Sequence, residues 1–178
     1  ALHGWGVDRD KSVAKRWLKK AKNKDYPPAF YLLSDGTANL RQVVKNWLVS
    51  KSEQENLRYA ADHGIAAAAY TLATYYHSKA DAKDDKDDWA EAYRLYLQAA
   101  QLDHTRAKFI VADFIERGIG VTKDLATAIR WYEAAAQDDY APALNALGTI
   151  YITDRVPDKS SADAIEYFKR AAEHGLPL

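Results

Sequence analysis

The chain has 178 residues with 25 basic and 25 acidic side chains, so its formal charge is zero and its isoelectric point is about 7.2. This balance does not favour binding along the phosphate backbone of a nucleic acid, and we expect no nucleic-acid partner. Cysteine is absent, which excludes disulfides, thiolate nucleophiles and cysteine-ligated metals. No apolar run approaches the ~20 residues that span a bilayer, so we expect no transmembrane segment.

The first predicted element is a basic helix. Eight Lys and Arg residues fall within the first 25 positions, against three Asp residues. Lys15, Lys19 and Lys22 share one helical face because they are spaced by four and three positions. That face is most simply a solvated surface, and the alternative is contact with an acidic partner or with lipid headgroups.

The middle of the chain is less regular. Residues 34–37 interrupt a predicted helix, and residues 40–49 indicate an extra or displaced helical piece. Residues 79–88 are predicted to form a long acidic loop, which ends where Asp88 caps the next helix with Glu91 three positions on. Calcium binding is the alternative for this loop, but the glycine and the terminal glutamate of a calcium loop are missing.

The clearest helical unit lies in the second half of the chain. A helix is predicted over residues 105–116, and the glycines within residues 118–121 turn the chain because glycine tolerates positive φ. Asp124 then caps a second helix, which runs to about residue 137. Its apolar residues recur with a period of 3.6, which predicts one buried face.

The pair Ala-Ala, or Ala-Lys in the first instance, recurs just before a polar stop. The first members of these pairs are separated by 39, 39, 36 and 36 positions, and they are Ala21, Ala60, Ala99, Ala135 and Ala171. Alanine lets helix axes approach closely, and a single helical hairpin cannot bury both of its faces, so such units must stack. The sequence therefore predicts an all-α fold: a right-handed α-solenoid of about four to five helix-turn-helix repeats of 36–39 residues, forming one domain over residues 1–178. Both ends fall inside a repeat and the chain has no Met, so we expect further repeats in a longer protein.

Two strings of residues carry a resemblance to a known family. They are Ala143-x-x-x-Leu147-Gly148-x-x-Tyr151 in a first helix, and Gly118-Ile-Gly-Val-x-x-Asp124-x-x-x-Ala128-x-x-Trp131-Tyr132-x-x-Ala135-Ala136 in a turn and second helix. Both resemble the Sel-one-like repeat (SLR) family, a branch of the tetratricopeptide superfamily, and the resemblance covers nearly the whole chain.

The resemblance implies that the first helices line a concave face that binds a partner. Carried over by phase, the partner-binding positions on this face are Tyr31, Tyr70, Thr74, His77, Arg106, Phe109, Asp113, Glu116, Asn145, Thr149 and Ile152. Tyr, Phe and Arg are over-represented at binding hot spots, which agrees with such a use.

Nothing in the sequence predicts catalysis, a cofactor or a metal. There is no Gly-rich phosphate loop, no His-Glu-x-x-His string and no cysteine nucleophile. His63 and His174 each precede a glycine, which predicts a role at helix C-termini rather than metal ligation. We therefore expect a protein that is not an enzyme, with no catalytic residues and no cofactor.

The resemblance suggests a bacterial, envelope-associated scaffold or adaptor that binds another protein, for example in an exopolysaccharide secretion complex. Two alternatives stay open: an immunity or inhibitor protein that neutralises a secreted toxin, and a carbohydrate-binding module or enzyme that uses the 12 Tyr and 5 Trp residues. The sequence does not fix the compartment, although a periplasmic or secreted location is favoured over a cytoplasmic one.

Overall fold

The computed structural model describes residues 11–26, 29, 51–153 and 161–175, which form helices and turns without any strand. The helices in these ranges are α1 (Lys11–Lys22), α2 (Lys51–Asp62), α3 (Ala66–Lys83), α4 (Lys86–Gln101), α5 (Thr105–Arg117), α6 (Leu125–Ala136), α7 (Ala141–Ile152) and α8 (Ser161–Glu173). None of them is both long and apolar enough to cross a membrane. The features predicted over residues 34–37 and 40–49 lie outside the described residues.

From α2 onward, each described helix packs against the next helix along the chain. The pairs α3–α4, α5–α6 and α7–α8 are helix-turn-helix repeats, in which α3, α5 and α7 are the first helices. Both members of the alanine pairs that begin at Ala60, Ala99 and Ala135 are buried, and one hydrophobic core runs from α2 to α8. Because alanine is small, it lets the helices approach closely, as the repeat pattern predicts.

A left-handed residue follows each of the helices α1, α2, α4, α6 and α8 at the same phase of the repeat. The residues with positive φ at this position are Asp25 (60°), Gly64 (83°), Asp103 (64°), Asp139 (50°) and Gly175 (99°). They keep the phase of the alanine pairs. Glycine adopts this conformation without steric cost, and Asp is one of the few other residues that visit it. The sequence analysis identified the two glycines and missed the three aspartates.

Three side chains at one phase of the repeat reach back from a second helix to the end of the preceding repeat. These reach-back bonds run from the Tyr59 hydroxyl to Asp25 Oδ1, from Gln98 Nε2 to the Ala61 carbonyl oxygen at 2.9 Å, and from Arg170 Nη2 to Asp139 Oδ1 at 2.7 Å. Each one joins residues 31 to 37 positions apart. Neighbouring repeats are therefore held together by polar contacts as well as by the core.

The remaining junction uses a different contact. Ala134 occupies the reach-back phase there, and its methyl group cannot form a hydrogen bond. Instead, Lys108 Nζ in α5 pairs with Asp103 in the turn before α5 and with Asp138 Oδ2 in the turn after α6, the latter at 3.1 Å. Burial opposes the charge of Lys108, but its bonds to Asp103 and Asp138 outweigh that effect and raise the pKa of the amine.

The junction of α3 and α4 differs from the prediction. Residues 79–83 continue α3 instead of forming a loop, so this first helix has 18 residues. The prediction that Asp88 caps α4 is wrong, because the carboxylate of Asp85 accepts the bonds from the backbone N–H groups of the first turn. Asp88 lies within that turn and is buried, where its Oδ1 accepts a hydrogen bond from Lys79 Nζ at 2.6 Å. Each acid could have capped the helix, and the pairing with Lys79 decides between them.

The glycine turn between α5 and α6 is confirmed. Gly118, with φ of 75°, ends α5, and Gly120 follows with φ of 64°. A Cβ on Gly120 would lie 2.7 Å from the backbone carbonyl oxygen of Trp89 in α4, so the turn rests directly on α4. Asp124 caps α6 as predicted, since its Oδ1 accepts bonds from two backbone N–H groups.

The prediction of a solvated basic face on α1 holds for two of its three lysines. Lys15 and Lys19 are exposed, as a solvated face requires. Lys22, the third lysine on that face, donates a hydrogen bond to Asn56 Oδ1 of α2 at 2.6 Å. One of the three lysines therefore connects α1 to the rest of the stack.

Candidate functional site

The first helices carry ten of the eleven residues that the sequence predicts to bind a partner, and Tyr31 lies outside the described residues. We call the surface formed by these ten residues the first-helix face. Tyr70 of α3 stacks on His104, just before α5, with ring centroids 4.3 Å apart. Phe109 of α5 meets Tyr140, just before α7, edge-on at 5.6 Å. The three first helices are therefore adjacent along one side of the stack, as a shared face requires.

Four residues of the first-helix face are exposed. They are Arg106, Asn145, Thr149 and Ile152, and the last has 50% of its surface accessible. The three on α7 are separated by four and three positions, which places them in one row on the helix. These four side chains are available to a partner, and their use in binding stays a prediction.

The three predicted residues of α3 are half-buried and contact Tyr96 of α4. Tyr70 meets the Tyr96 ring edge-on at 5.6 Å, the Tyr96 hydroxyl donates to Thr74 Oγ1 at 3.4 Å, and His77 Nδ1 lies 3.2 Å from that hydroxyl. Burial raises the pKa of Tyr70 and of Tyr96, because it penalises the charged phenolate. These α3 side chains contribute to the packing of α3 on α4, so substituting them would disturb the fold as well as any binding.

Two predicted residues of α5 also form contacts within their own repeat. The Phe109 ring lies 5.6 Å from that of Tyr132 in α6, and the Tyr132 hydroxyl donates to Glu116 Oε2 at 2.9 Å. Phase alone predicted the side of the helix on which these residues lie, but not how much of each side chain the neighbouring helix covers.

His77 and Asp113 line an open cleft of about 700 Å³, which we call the α3–α5 cleft. It lies between the C-terminal ends of α3 and α5, the start of α4 and the turn of residues 118–121. Asp81, Trp89 and Arg117 also line it. Its volume is within the range of ~300–1,000 Å³ that is typical of ligand sites.

The histidine of this cleft is in its neutral form near pH 7. Burial is the main cause that lowers the pKa of His77, and the charge of Arg117 acts in the same direction. The carboxylates of Asp81 and Asp113 oppose this shift without reversing it. Asp113 also pairs with Arg117, at 3.3 Å between Oδ2 and Nη1.

The sequence analysis did not identify this cleft. Asp81 lies in the segment that was predicted to be a loop, and Trp89 lies at the predicted start of the next helix. Arg117 follows the predicted helix of residues 105–116 and was not assigned a role. The available signal was the length of the α3 repeat, which has three residues more than the later ones. Those residues extend α3 and place Asp81 one helical turn beyond His77.

The other histidine predictions concern helix ends. His63 Nδ1 lies 2.7 Å from the carbonyl oxygen of Tyr59 in the last turn of α2, in agreement with a role at that C-terminus. His174 Nε2 lies 3.8 Å from Asp139 Oδ1. No group of three or more His, Asp or Glu side chains in the described ranges is arranged to hold a metal ion.

Comparison with solved structures finds the same architecture in two bacterial proteins. A Sel1 repeat protein from Oxalobacter formigenes superposes with a TM-score of 0.72 at 27% identity, and the match covers 98% of this chain and 69% of that one. A protective antigen of uropathogenic Escherichia coli with an SLR fold superposes with a TM-score of 0.50 at 20% identity, covering 98% of this chain and 44% of the antigen. The second likeness shows the fold alone.

Comparison with curated proteins finds two fungal relatives. The chitin synthase regulator SKT5 of Saccharomyces cerevisiae is 29% identical over 184 residues, which is 98% of this chain and 26% of the relative. Chitin synthase regulatory factor 2 of Schizosaccharomyces pombe is 35% identical over 144 residues, covering 79% of this chain and 27% of the relative. The chain thus spans about a quarter of the length of these proteins. Since the relatives are fungal and the solved neighbours bacterial, the expected bacterial origin stays a prediction.

Comparison with protein families matches the Sel1 repeat to residues 1–26, 66–104, 105–140 and 141–176. The last three ranges contain the helix pairs α3–α4, α5–α6 and α7–α8. For the last three repeats, the boundaries predicted from the alanine pairs, the observed helices and the family match agree, whereas residues 27–65, which contain the pair at Ala60, have no family match. The chain therefore belongs to the Sel1 repeat family, and the predicted all-α solenoid is confirmed.

Proposed function

We propose that this chain is a protein-interaction scaffold that binds a partner protein through the first-helix face. The observation that carries the proposal is that Arg106, Asn145, Thr149 and Ile152 are exposed together on adjacent first helices. A stack of helices holds the backbone that carries these side chains in a fixed position, so little backbone freedom is lost on binding. A cation, polar groups and an apolar side chain in one area suit a protein surface.

The names of the curated relatives support a regulatory role. Both curated relatives are named for the regulation of chitin synthase, an enzyme that makes a polysaccharide. We propose by analogy that this chain is not an enzyme and that its partner is a polysaccharide-synthesising enzyme or a protein bound to one. An envelope location and a periplasmic or secreted compartment stay predictions, as does the exopolysaccharide assembly suggested by the sequence.

The two alternative functions gain less support. Neither curated relative is named as an immunity protein or toxin inhibitor. A carbohydrate-binding module would need exposed aromatic rings on which sugars can stack. Tyr96, Tyr132 and Tyr151 are each at most 2% exposed and serve the core, whereas Tyr26 is 57% exposed.

The test is purification of the complex from the native cell with a matched pair of variants. The face variant is Arg106→Glu with Asn145→Lys. The control is Arg130→Glu with Ala126→Lys, which makes the same charge changes at exposed positions of the second helix α6. All four positions are exposed, so both variants should melt at nearly the wild-type temperature.

We expect the wild type and the control to retain a stoichiometric partner and the face variant to lose it. The proposal fails if the face variant retains the partner at full stoichiometry. It also fails if the control loses the partner while the face variant does not, since binding would then use the second helices.

A further inference from the structure

One wall of the α3–α5 cleft is made by the main chain. The turn of residues 118–121 rests on α4, and a Cβ on Gly120 would come within 2.7 to 3.0 Å of three backbone atoms of Trp89 and Ala90. The turn therefore cannot move closer to α4, and its position is fixed by backbone contact. Opposite this wall, α3 continues past His77 to Lys83. The fold thus fixes this wall of the cleft by backbone contact.

The floor of the cleft is aromatic. The His77 ring lies 5.3 Å from Phe114, edge-on, and 5.1 Å from Trp89. His77 is held in place by its contact with the Tyr96 hydroxyl, and burial keeps it neutral by lowering its pKa. Aromatic faces attract cations and also pack against the aliphatic part of long side chains.

The rim of the cleft carries more acid than base. Asp81, Asp84 and Asp113 line it, together with Lys86 and Arg117. Asp81 is exposed and forms no ion pair with any residue in the described part of the chain. Asp113 pairs with Arg117 on the same helix, and such solvent-exposed pairs contribute little, so an incoming cation can replace Arg117.

From this arrangement we propose that the α3–α5 cleft binds a Lys or Arg side chain of the partner protein, with the charged group near Asp81 and Asp113 and the stem against Trp89. The inference rests on the proposed function, because it specifies the chemistry of one part of the partner. Charge complementarity supports a basic partner segment, since the rim has three carboxylates against two cations and one of these cations, Arg117, is paired with Asp113. The volume of the cleft also accommodates the neighbouring residues of such a segment.

The direct test is an NMR titration of the whole chain with three synthetic peptides, Ac-Gly-Leu-X-Leu-Gly-amide, where X is Arg, Gln or Glu. The reporters are the backbone amides of Gly118 and Gly120 and the indole N–H of Trp89, which all belong to cleft residues. We expect saturable shifts with the Arg peptide and affinities at least about tenfold lower for the Gln and Glu peptides.

Two variants locate the binding. Asp81→Asn with Asp113→Asn should lower the affinity for the Arg peptide by about tenfold or more, because both carboxylates that would meet the cation lose their charge. Asp62→Asn with Asp87→Asn removes the same charge from two exposed acids outside the cleft, and it should leave the affinity within twofold. Equal affinity for the Arg and Glu peptides, or an unchanged affinity in the cleft variant, would overturn the inference.

Purification from the native cell separates this inference from the proposed function. If Asp81→Asn, which changes a cleft residue outside the first-helix face, loses the partner as the face variant does, both are supported. If it retains the partner at full stoichiometry while the face variant loses it, the cleft inference fails and the proposed function stands.

Discussion

Gly148 in α7 offers the sharpest test of how a first helix packs on its second helix. A Cβ at this position would lie 2.7, 2.9 and 2.9 Å from three ring atoms of Phe168 in α8. Carbon atoms in contact are normally ~3.5–4.0 Å apart, so any side chain here must push the ring by roughly 1 Å. Gly148→Leu adds three more carbon atoms beyond the Cβ, which places the overpacking cost near the upper end of its usual range, about 2–3 kcal/mol.

The helix propensity of leucine returns part of that cost. Leucine is better than glycine inside a helix by up to about 1 kcal/mol, so the net loss of unfolding free energy is about 1–2 kcal/mol. For a chain of this length, that loss corresponds to a fall in Tm of roughly 2–8 °C. Thermal unfolding followed by circular dichroism measures it. Thr149→Leu is the control, because Thr149 is the exposed neighbour and the same side chain there should leave the Tm almost unchanged.

A double-mutant cycle with Phe168→Ala shows whether the ring is the cause. If the clash is with Phe168, Gly148→Leu should cost much less in the Phe168→Ala background than in the wild type. A wild-type Tm for Gly148→Leu, or the same loss in both backgrounds, would refute the close approach of α7 and α8 at this point.

Three further predictions concern a turn, a junction and a pH range. Gly120→Ala should lower the free energy of unfolding by about 2–4 kcal/mol, because an alanine with positive φ is strained and its Cβ would clash with the backbone of α4. A loss below about 1 kcal/mol in urea unfolding would contradict the contact with α4. Arg170→Ala should lower the free energy of unfolding by about 0.5–1 kcal/mol, because it removes hydrogen bonds to the preceding repeat that are partly exposed and therefore weak. An unchanged urea midpoint would show that these bonds do not couple repeats. Burial lowers the pKa of His77 and His104, so below the ordinary value of 6.5 the unfolded chain binds more protons than the folded one. Stability should therefore be fully present above pH 6.5 and fall as the pH drops towards 5, and His77→Gln with His104→Asn should flatten that slope in urea titrations.

The parts of the fold that follow from periodicity could be predicted from the sequence. The buried alanine pairs, the glycine turn at Gly118 and the cap at Asp124 each depend on local rules that repeat at a fixed spacing. These features do not depend on which distant residues meet.

The other features could not be predicted from repeat spacing, because neighbouring residues compete for the same role. Asp85 and Asp88 are both good caps, and the choice between them depends on Lys79, which lies in the preceding helix. In the same way, repeat phase placed Tyr70 and Asn145 on one face without distinguishing the half-buried ring from the exposed amide. That distinction depends on the size of the residues packed beside each one, which phase does not contain.

The reach-back bonds determine how the array would yield to mechanical load. A force that separates α8 from the α5–α6 repeat must rupture the bonds of Arg170 to Asp139 and Ala136 before that repeat is disturbed. At the next junction Lys108 holds the turns on both sides of its own repeat, so α5 and α6 resist as one block. Extension should therefore proceed one repeat at a time, with the hydrophobic core between the helices carrying most of the load and these polar contacts adding to it.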